Sequence, residues 1–237
     1  MSFDVLKKQL QINNARKLLI KRKISSLKNP FYIFFKKIGL LKGVLLGDFV
    51  KSWDVLNTFL FIERKLNKDD PILDIGCYAS EVIVALHKGG FKNLIGADLN
   101  PDLNKMPFNN QIRYVNVNFM KTDFPDNSFK AVTAISVIEH GFNAHALLKE
   151  MSRIIMPSGY FISSFDYWPE KIDTTDIKFF GMDWIIFSKE DVKEFVSLAA
   201  TYNFFPVGEM SYKSQTAIIK CASKEYTFGW LVLEKRT

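Results

Sequence analysis

The sequence predicts an α/β domain built on a doubly wound, mostly parallel sheet. Three observations predict it. From residue 71 onward, apolar runs of strand length alternate with helical patterns. Short connections join them, as expected of parallel strands joined by crossover helices. One run, PILDIGCYASEVIVAL at residues 71–86, passes through an acid and a glycine before a helical pattern begins. That is the form of a strand-to-helix turn that opens a ligand site.

The elements follow in order. Residues 1–28 read as helical, with Leu6, Leu10, Leu18, Leu19 and Ile24 set among lysines. FYIFFKKIGLLKGVLL (31–46) is apolar but broken by Lys36, Lys37 and Lys42. Those charges rule out a span and suit an interfacial segment or a partner surface. DFVKSWDVLNTFLFIERKL (48–66) predicts a stronger helix leading into the body. Strands are expected at 72–76, 93–99, 112–118, 129–137 and 159–165, and helices at 80–90, 146–156 and 189–203. TAIIKCAS (216–223) and GWLVLEKR (229–236) predict a terminal strand pair. They are joined too closely for a helical crossover, so one of them must run antiparallel.

Composition sets the limits. At 237 residues and 48% hydrophobic, the chain can bury one core and carry an appendage. The expected division is a basic helical extension over 1–66 and a main domain over 67–237. The first 60 residues hold 12 Lys and Arg against 3 acids, +9 of a whole-chain +7, so the remainder sums to −2. The basic character belongs to the N-terminal segment, which argues against a nucleic-acid groove across the body. The segment has three readings: packing on the body or on a second copy in a homo-oligomer, contact with a membrane surface, or contact with nucleic acid. Two cysteines, one of them inside the turn at Cys77, make no disulfide framework. With no secretory pattern at the N-terminus, a reduced cytoplasmic setting is expected, with room for peripheral contact at the inner membrane face.

The turn carries the first chemistry. Gly76 would let a ligand approach the backbone, and the helix that follows offers N–H groups to a carboxylate or phosphate. Asp98 ends the next strand and is placed to accept both hydroxyls of a ribose. An ordinary αβ turn with a surface acid fits these two features equally well. Tyr78 and Ser80 stand where a glycine-rich turn would hold small residues. A dinucleotide site fits poorly, because pyrophosphate needs those further glycines.

More residues sharpen this. ILDIGC, ADLNP, NVNFMKTDFPDNSFKAVTAISVIEH and LLKEMSRIIMPSGYFISS occur in this order between residues 71 and 165. Together they resemble the class I S-adenosylmethionine-dependent methyltransferases. The resemblance implies a Rossmann-like, seven-stranded sheet whose last pair forms an antiparallel edge, and S-adenosyl-L-methionine as cofactor. Carried over by position, Asp74, Gly76 and Cys77 would line its methionine half, with Tyr78 turned away or capping it. Asp98 would hold the ribose and Leu99 would touch the adenine. Asn118 stands where the family often has an acid for the adenine amino group, followed by Phe119; an asparagine oxygen can still accept there. Ser136 would lie beside the methionyl group. Ser80 is expected to cap the next helix.

On the acceptor side, His140 in VIEHGF is the general base best placed by position, and an imidazole titrates near neutrality; ordering of its own loop is the alternative role. Glu139 would anchor the loop, orient the histidine or bind substrate. His145 is expected near the start of the next helix, and His87 at the surface. A metal site is not expected, because Ser136 stands where a first acid would be needed. After the fifth strand, FDYWPEKIDTT (165–175) offers Asp166 as a second base or hydroxyl ligand. Tyr167 and Trp168 could stack on a ring, unless the loop is packed by its own aromatics. Trp184 and Phe187 would form a lid or pocket wall. Trp53 and Asp54 sit where the family often lays a helix over the cofactor. KSWDVL, SVIEHG, DYWPEKIDT and WIIFS are similar to methyltransferases that modify sugars of bacterial surface polysaccharides, which implies O-methylation of a small-molecule or glycan-precursor hydroxyl. The competing readings are a nucleic-acid methyltransferase with a basic arm and a non-catalytic protein with a degenerate pocket.

Overall fold

The computed structural model describes residues 1–27, 43–179 and 181–237. The expectation for 31–46, including Lys36, Lys37 and Lys42, falls largely outside the described residues.

Strand β1 is Phe3–Val5 and helix α1 is Gln9–Lys21. Helix α2 is Ser52–Lys65, entered through a short 3-10 turn whose N-cap Asp48 accepts from the Val50 N–H. There follow β2 Ile72–Ile75, α3 Val82–Lys88, β3 Leu94–Asp98, β4 Arg113–Asn116 and β5 Phe129–Ile135. Helix α4 is Ala144–Ile154, capped by the Asn143 side chain, and β6 is Ile155–Tyr167. A small hairpin pairs β7 Lys178–Phe179 with β8 Met182–Asp183. Helix α5 is Lys189–Ala200, held at its start by a reciprocal Ser188–Asp191 capping box. Strands β9 Phe204–Pro206, β10 Ile219–Cys221 and β11 Lys224–Lys235 complete the order.

The main sheet runs β1-β11-β6-β5-β2-β3-β4, with β9 and β10 also paired to β11. Strands β4, β3, β2, β5 and β6 are parallel, and β11 is antiparallel to β6 from Thr227–Tyr167 to Glu234–Tyr160. The chain enters at β2, moves out to β4, then returns to β5 on the other side. Strand order therefore reverses between β2 and β5, and a ligand crevice is expected beyond their carboxyl ends.

Alternation along the strands sorts side chains into two cores. Ile72 and Ala131 face the layer holding Ile12 and Leu19 of α1, Phe59 of α2 and Ile83 of α3. Leu73, Ile75 and Val132 face the layer holding Leu147 and Met151 of α4 and Phe195 of α5.

The structure corrects two expectations. The N-terminus is not helical throughout, because Phe3–Val5 pairs with Gly229–Leu231 and its Phe3 is fully buried. Three residues are too short for any period to show. The predicted terminal pair is present only as a hairpin, in which Ile219–Cys221 meets the first residues of β11 across a left-handed Ala222–Ser223 turn. The partner of β11 beside the sheet body is β9 at Leu233–Lys235 and β1 further along. Among the described residues the sheet holds nine strands, seven of them in the main order and two short ones paired to β11 beside it.

Candidate active site

The turn after β2 is shaped by packing as much as by a ligand. Gly76 has φ +69°, and a Cβ there would come within 2.4 Å of Val137 Cγ2, so the residue is confined to glycine by the loop after β5. The Gly76 N–H donates to Ala97 O, and the Tyr78 N–H donates to Asp98 Oδ2 at 2.8 Å. Asp98 Oδ1 accepts from the Asn100 N–H at 2.8 Å, so this carboxylate fixes both loops that frame the crevice. Its oxygens keep further lone pairs for a ribose. Ala79 is left-handed (φ +60°) without being glycine, at a cost of roughly 1–2 kcal/mol. Ser80 Oγ accepts from the Val82 N–H at 3.2 Å, but the N-cap of α3 is Glu81, not Ser80.

Across the switch point, Ser136 is also left-handed (φ +57°), and its buried Oγ has no hydrogen-bond partner. Strain of this kind clusters at functional sites. Asp74 lies between the two turns. Thr133 Oγ1 donates to its Oδ1 at 2.6 Å. Burial drives its pKa up to about 7 against the hydrogen bonds from Thr133 and Ser80.

A second group of charges adjoins Ser136. Asp166 Oδ2 accepts from Trp184 Nε1 at 2.8 Å, and its Oδ1 lies 3.7 Å from Lys51 Nζ. The same ammonium is 3.8 Å from Asp54 Oδ2, which accepts from Ser164 Oγ at 2.9 Å, and sits 3.4 Å from the centre of the Phe228 ring. Burial raises the pKa of Asp54 to about 6, with Lys51 opposing. Glu139 is pushed up to about 8, first by burial and then by the charge of Asp166. Asp54 Oδ1 and Glu139 Oε2 are buried without hydrogen-bond partners. Three carboxylates around one lysine leave acceptor oxygens waiting for donors. His140 is half-buried here, its ring edge-on to Phe179 at 6.1 Å. Burial holds its pKa below the ordinary value, Asp166 opposing and Lys51 assisting, so the imidazole is neutral at pH 7.

The predicted residues fall into three groups. Asp74, Gly76, Tyr78, Asp98, Leu99, Asn118 and Ser136 sit at or beside the carboxyl ends of β2 to β5. Leu99 is 55% exposed, an apolar face at the position expected to touch adenine. Asn118 is exposed, and its Oδ1 already accepts from the Met120 N–H at 2.9 Å, while Phe119 packs against the second core. Glu139, His140 and Asp166 come together with Lys51 and Asp54. Trp168 is half-buried on the first core, its backbone N–H donating to Phe187 O.

Several side chains depart from their expected roles. Cys77 is fully buried and turned under the sheet, where a Cβ on Gly96 would meet its Sγ at 2.7 Å, so only its backbone lines the crevice. Tyr167 is fully buried, with its hydroxyl donating to Tyr212 O at 2.7 Å, so it is core rather than a stacking platform. Trp184 is buried with its N–H on Asp166, and Asp166, so engaged, is an anchor for Trp184 and Lys51 rather than a free base. Trp53 is core, while Asp54 reaches the charged group. His87 is half-buried against Phe108 instead of free at the surface. His145 is the second residue of α4 and bonds the Tyr202 hydroxyl at 3.2 Å. Sequence reasoning missed Lys51 as a site residue; its only local signal is its place in the first turn of the helix predicted over 48–66.

Comparison with known proteins agrees with this geometry. Residues 73–163 match the family model described as a methyltransferase domain. Cycloartenol-C-24-methyltransferase of Arabidopsis thaliana is 27% identical over 131 residues, 51% of this chain and 37% of its own. Sterol 24-C-methyltransferase of Yarrowia lipolytica is 31% identical over 98 residues, 38% of this chain and 26% of its own. The chain thus spans about a third or less of the length of these curated relatives. Among solved structures, geranyl diphosphate C-methyltransferase from Streptomyces coelicolor A3(2), in complex with Mg2+, geranyl diphosphate and S-adenosyl-L-homocysteine, superposes with TM-score 0.58 at 14% identity, over 76% of this chain and 78% of that one. A sarcosine dimethylglycine methyltransferase from Galdieria sulphuraria, assigned as putative, gives 0.58 at 14% over 86% and 97%. These last two show the shared fold. Residues 73–163 thus match a methyltransferase domain, and the sheet around them has the Rossmann-like fold of S-adenosylmethionine-dependent methyltransferases. The donor set fits S-adenosyl-L-methionine: Asp98 ends β3 with the exposed Leu99 directly after it, and Asp74 Oδ2 and Ser136 Oγ are buried without hydrogen-bond partners nearby.

Proposed function

We propose that the protein transfers a methyl group from S-adenosylmethionine to a hydroxyl of a sugar or glycan precursor. The observation that carries this reading is the convergence of neutral His140, buried acceptor oxygens on Asp54 and Glu139, and the Lys51 ammonium. Such a set accepts hydrogen bonds from a polyhydroxylated molecule and holds a base for the one hydroxyl that reacts. The similarity of KSWDVL, SVIEHG and DYWPEKIDT to polysaccharide-modifying methyltransferases supports the sugar class.

Asp98 would hold the cofactor's ribose, Leu99 its adenine, and the Gly76–Tyr78 backbone with Ser136 its methionyl end. When bound, the cofactor supplies an electrophilic methyl group on a positively charged sulfur. His140, neutral at working pH, takes the proton of the acceptor hydroxyl at a ring nitrogen. Asp166 and Trp184 brace one another behind it. Trp168 offers a partly open ring face to the sugar. The +9 carried by the first 60 residues favours an anionic or lipid-linked acceptor at the inner membrane face.

A second reading is methylation at carbon. The sterol C-24 methyltransferase relatives favour it, as does the cluster of Phe179, Trp184 and Tyr226 rings beside the carboxylates. Incubation with labelled cofactor and two panels, nucleotide- and lipid-linked sugars against isoprenoid alkenes, separates the two. A methyl group on oxygen of a sugar supports the first reading. A methyl group on carbon of an alkene replaces it, and no incorporation from a protein that binds cofactor contradicts both acceptor classes.

A further inference from the structure

The strand-to-helix turn that frames the cofactor crevice is held from outside, by residues far earlier in the chain. Tyr78, Ala79 and Ser80 have no glycine among them, yet Ala79 keeps a left-handed backbone. Such a conformation persists in a non-glycine residue where the surroundings impose it. Here the Gly47 N–H donates to Ala79 O at 2.8 Å. Gly47 is itself left-handed, and a Cβ on it would lie 2.9 Å from Glu81 Oε2, so its missing side chain makes room for Glu81.

Glu81 closes the turn and is buried. Both of its oxygens accept from the Arg16 guanidinium at 2.8 Å, in a forked pair. Its Oε1 also accepts from the Ser26 N–H. Arg16, 4% exposed on α1, spends its other donors on Ser25 Oγ and on Ser52 Oγ at the start of α2, both at 2.9 Å. Lys88, at the far end of α3, donates to Ser25 O at 2.7 Å. One guanidinium thus joins α1, the start of α2 and the turn before α3. The same α2 carries Asp54 into the acceptor group.

We propose that Arg16 is a positioning residue for the methyl-donor site: through Glu81 it sets the backbone of residues 78–81, so cofactor affinity depends on a side chain of the N-terminal helix. This goes beyond the acceptor reading and rests only on the donor site.

The test uses full-length protein. Arg16→Lys keeps the charge and removes the fork. Calorimetry should show affinity for S-adenosyl-L-homocysteine weakened at least about fivefold, the lower end of coupling between linked sites. Amide exchange at residues 78–82 should speed up in the ligand-free protein. Arg16→Met combined with Glu81→Met exchanges the pair for apolar side chains, a change that buried ion pairs often tolerate. This double variant should fold and show the same loss of affinity and of exchange protection. Unchanged affinity together with unchanged exchange in a folded variant overturns the proposal. Failure of both variants to fold also overturns it, because the pair would then serve the fold as a whole. Should wild type bind no cofactor, the exchange measurement still decides whether Arg16 holds the turn.

Discussion

At the residue scale, two titrations distinguish the candidate bases. Burial lowers the pKa of His140 and raises that of Glu139 to about 8. If His140 takes the proton, kcat/KM rises with pH through a value below the ordinary 6.5 and is level above it. His140→Ala should remove that limb and lower kcat about 100-fold, with cofactor affinity nearly unchanged. A limb near 8 that survives in the variant would move the role to Glu139. The buried acids also predict how stability depends on pH. Asp54, Asp74 and Glu139 all have folded pKa values raised above the unfolded ones, to about 6, 7 and 8. The folded state binds more protons than the unfolded state over that range. The contribution of these groups is therefore complete below about pH 4 and is lost as pH rises through each folded value. Urea midpoints should accordingly fall between pH 5 and 8, and Glu139→Gln should flatten the upper part of the fall. A wild-type midpoint that rises steadily across this window would contradict the burial of these carboxylates.

At the scale of elements, the turn after β2 and the loop after β5 are one packing unit, since Gly76 and Val137 share a space too small for a Cβ. Gly76→Ala should cost about 1–3 kcal/mol from the left-handed backbone, with the steric clash adding to it. Val137→Ala in the same chain should restore only the steric part. Full recovery by denaturant titration would show that backbone strain is negligible there. The same region shows what a sequence reveals about a site. The Asp74-Ile75-Gly76 run and Asp98 were legible because a strand ending in an acid or glycine is a local pattern. His140 was legible because it follows a predicted strand. The left-handed backbones of Ala79 and Ser136 were not, since alanine and serine carry no mark of that conformation. Arg16, Lys51 and Tyr226 gather at these sites from remote parts of the chain, and no local period records that. The aromatic stretch at the end of β6 and beyond misled in the other direction: Tyr167 read as a stacking surface and Trp184 as a lid or pocket wall, but both fill the core, because a loop rich in aromatics buries them when it can.

At the scale of the molecule, the mostly parallel, doubly wound sheet followed from alternation of elements, and an antiparallel strand near the C-terminus from a connection too short for a crossover. The strands β1 and β9 that flank β11 did not, because each is three residues long. Their pairing makes the N-terminus part of the sheet: Phe3 is buried, and Ser2 Oγ donates to Val232 O. With the Arg16–Glu81 pair, the first 27 residues are bound to the domain at both sheet and turn. Among the described residues no helix is long and apolar enough to cross a membrane. Deletion of residues 1–5 should therefore destabilise the whole domain, lowering its urea midpoint as a single transition. A separate early transition would mark the N-terminus as an independent unit.

The most direct test is a calorimetric titration of the purified protein with S-adenosylmethionine and with S-adenosylhomocysteine, repeated for Asp98→Ala. Saturable uptake of both by wild type, lost in the variant whose ribose carboxylate is gone, is the expected result. Absence of uptake by wild type, or undiminished uptake by Asp98→Ala, would contradict a donor site at the carboxyl ends of β2 and β3.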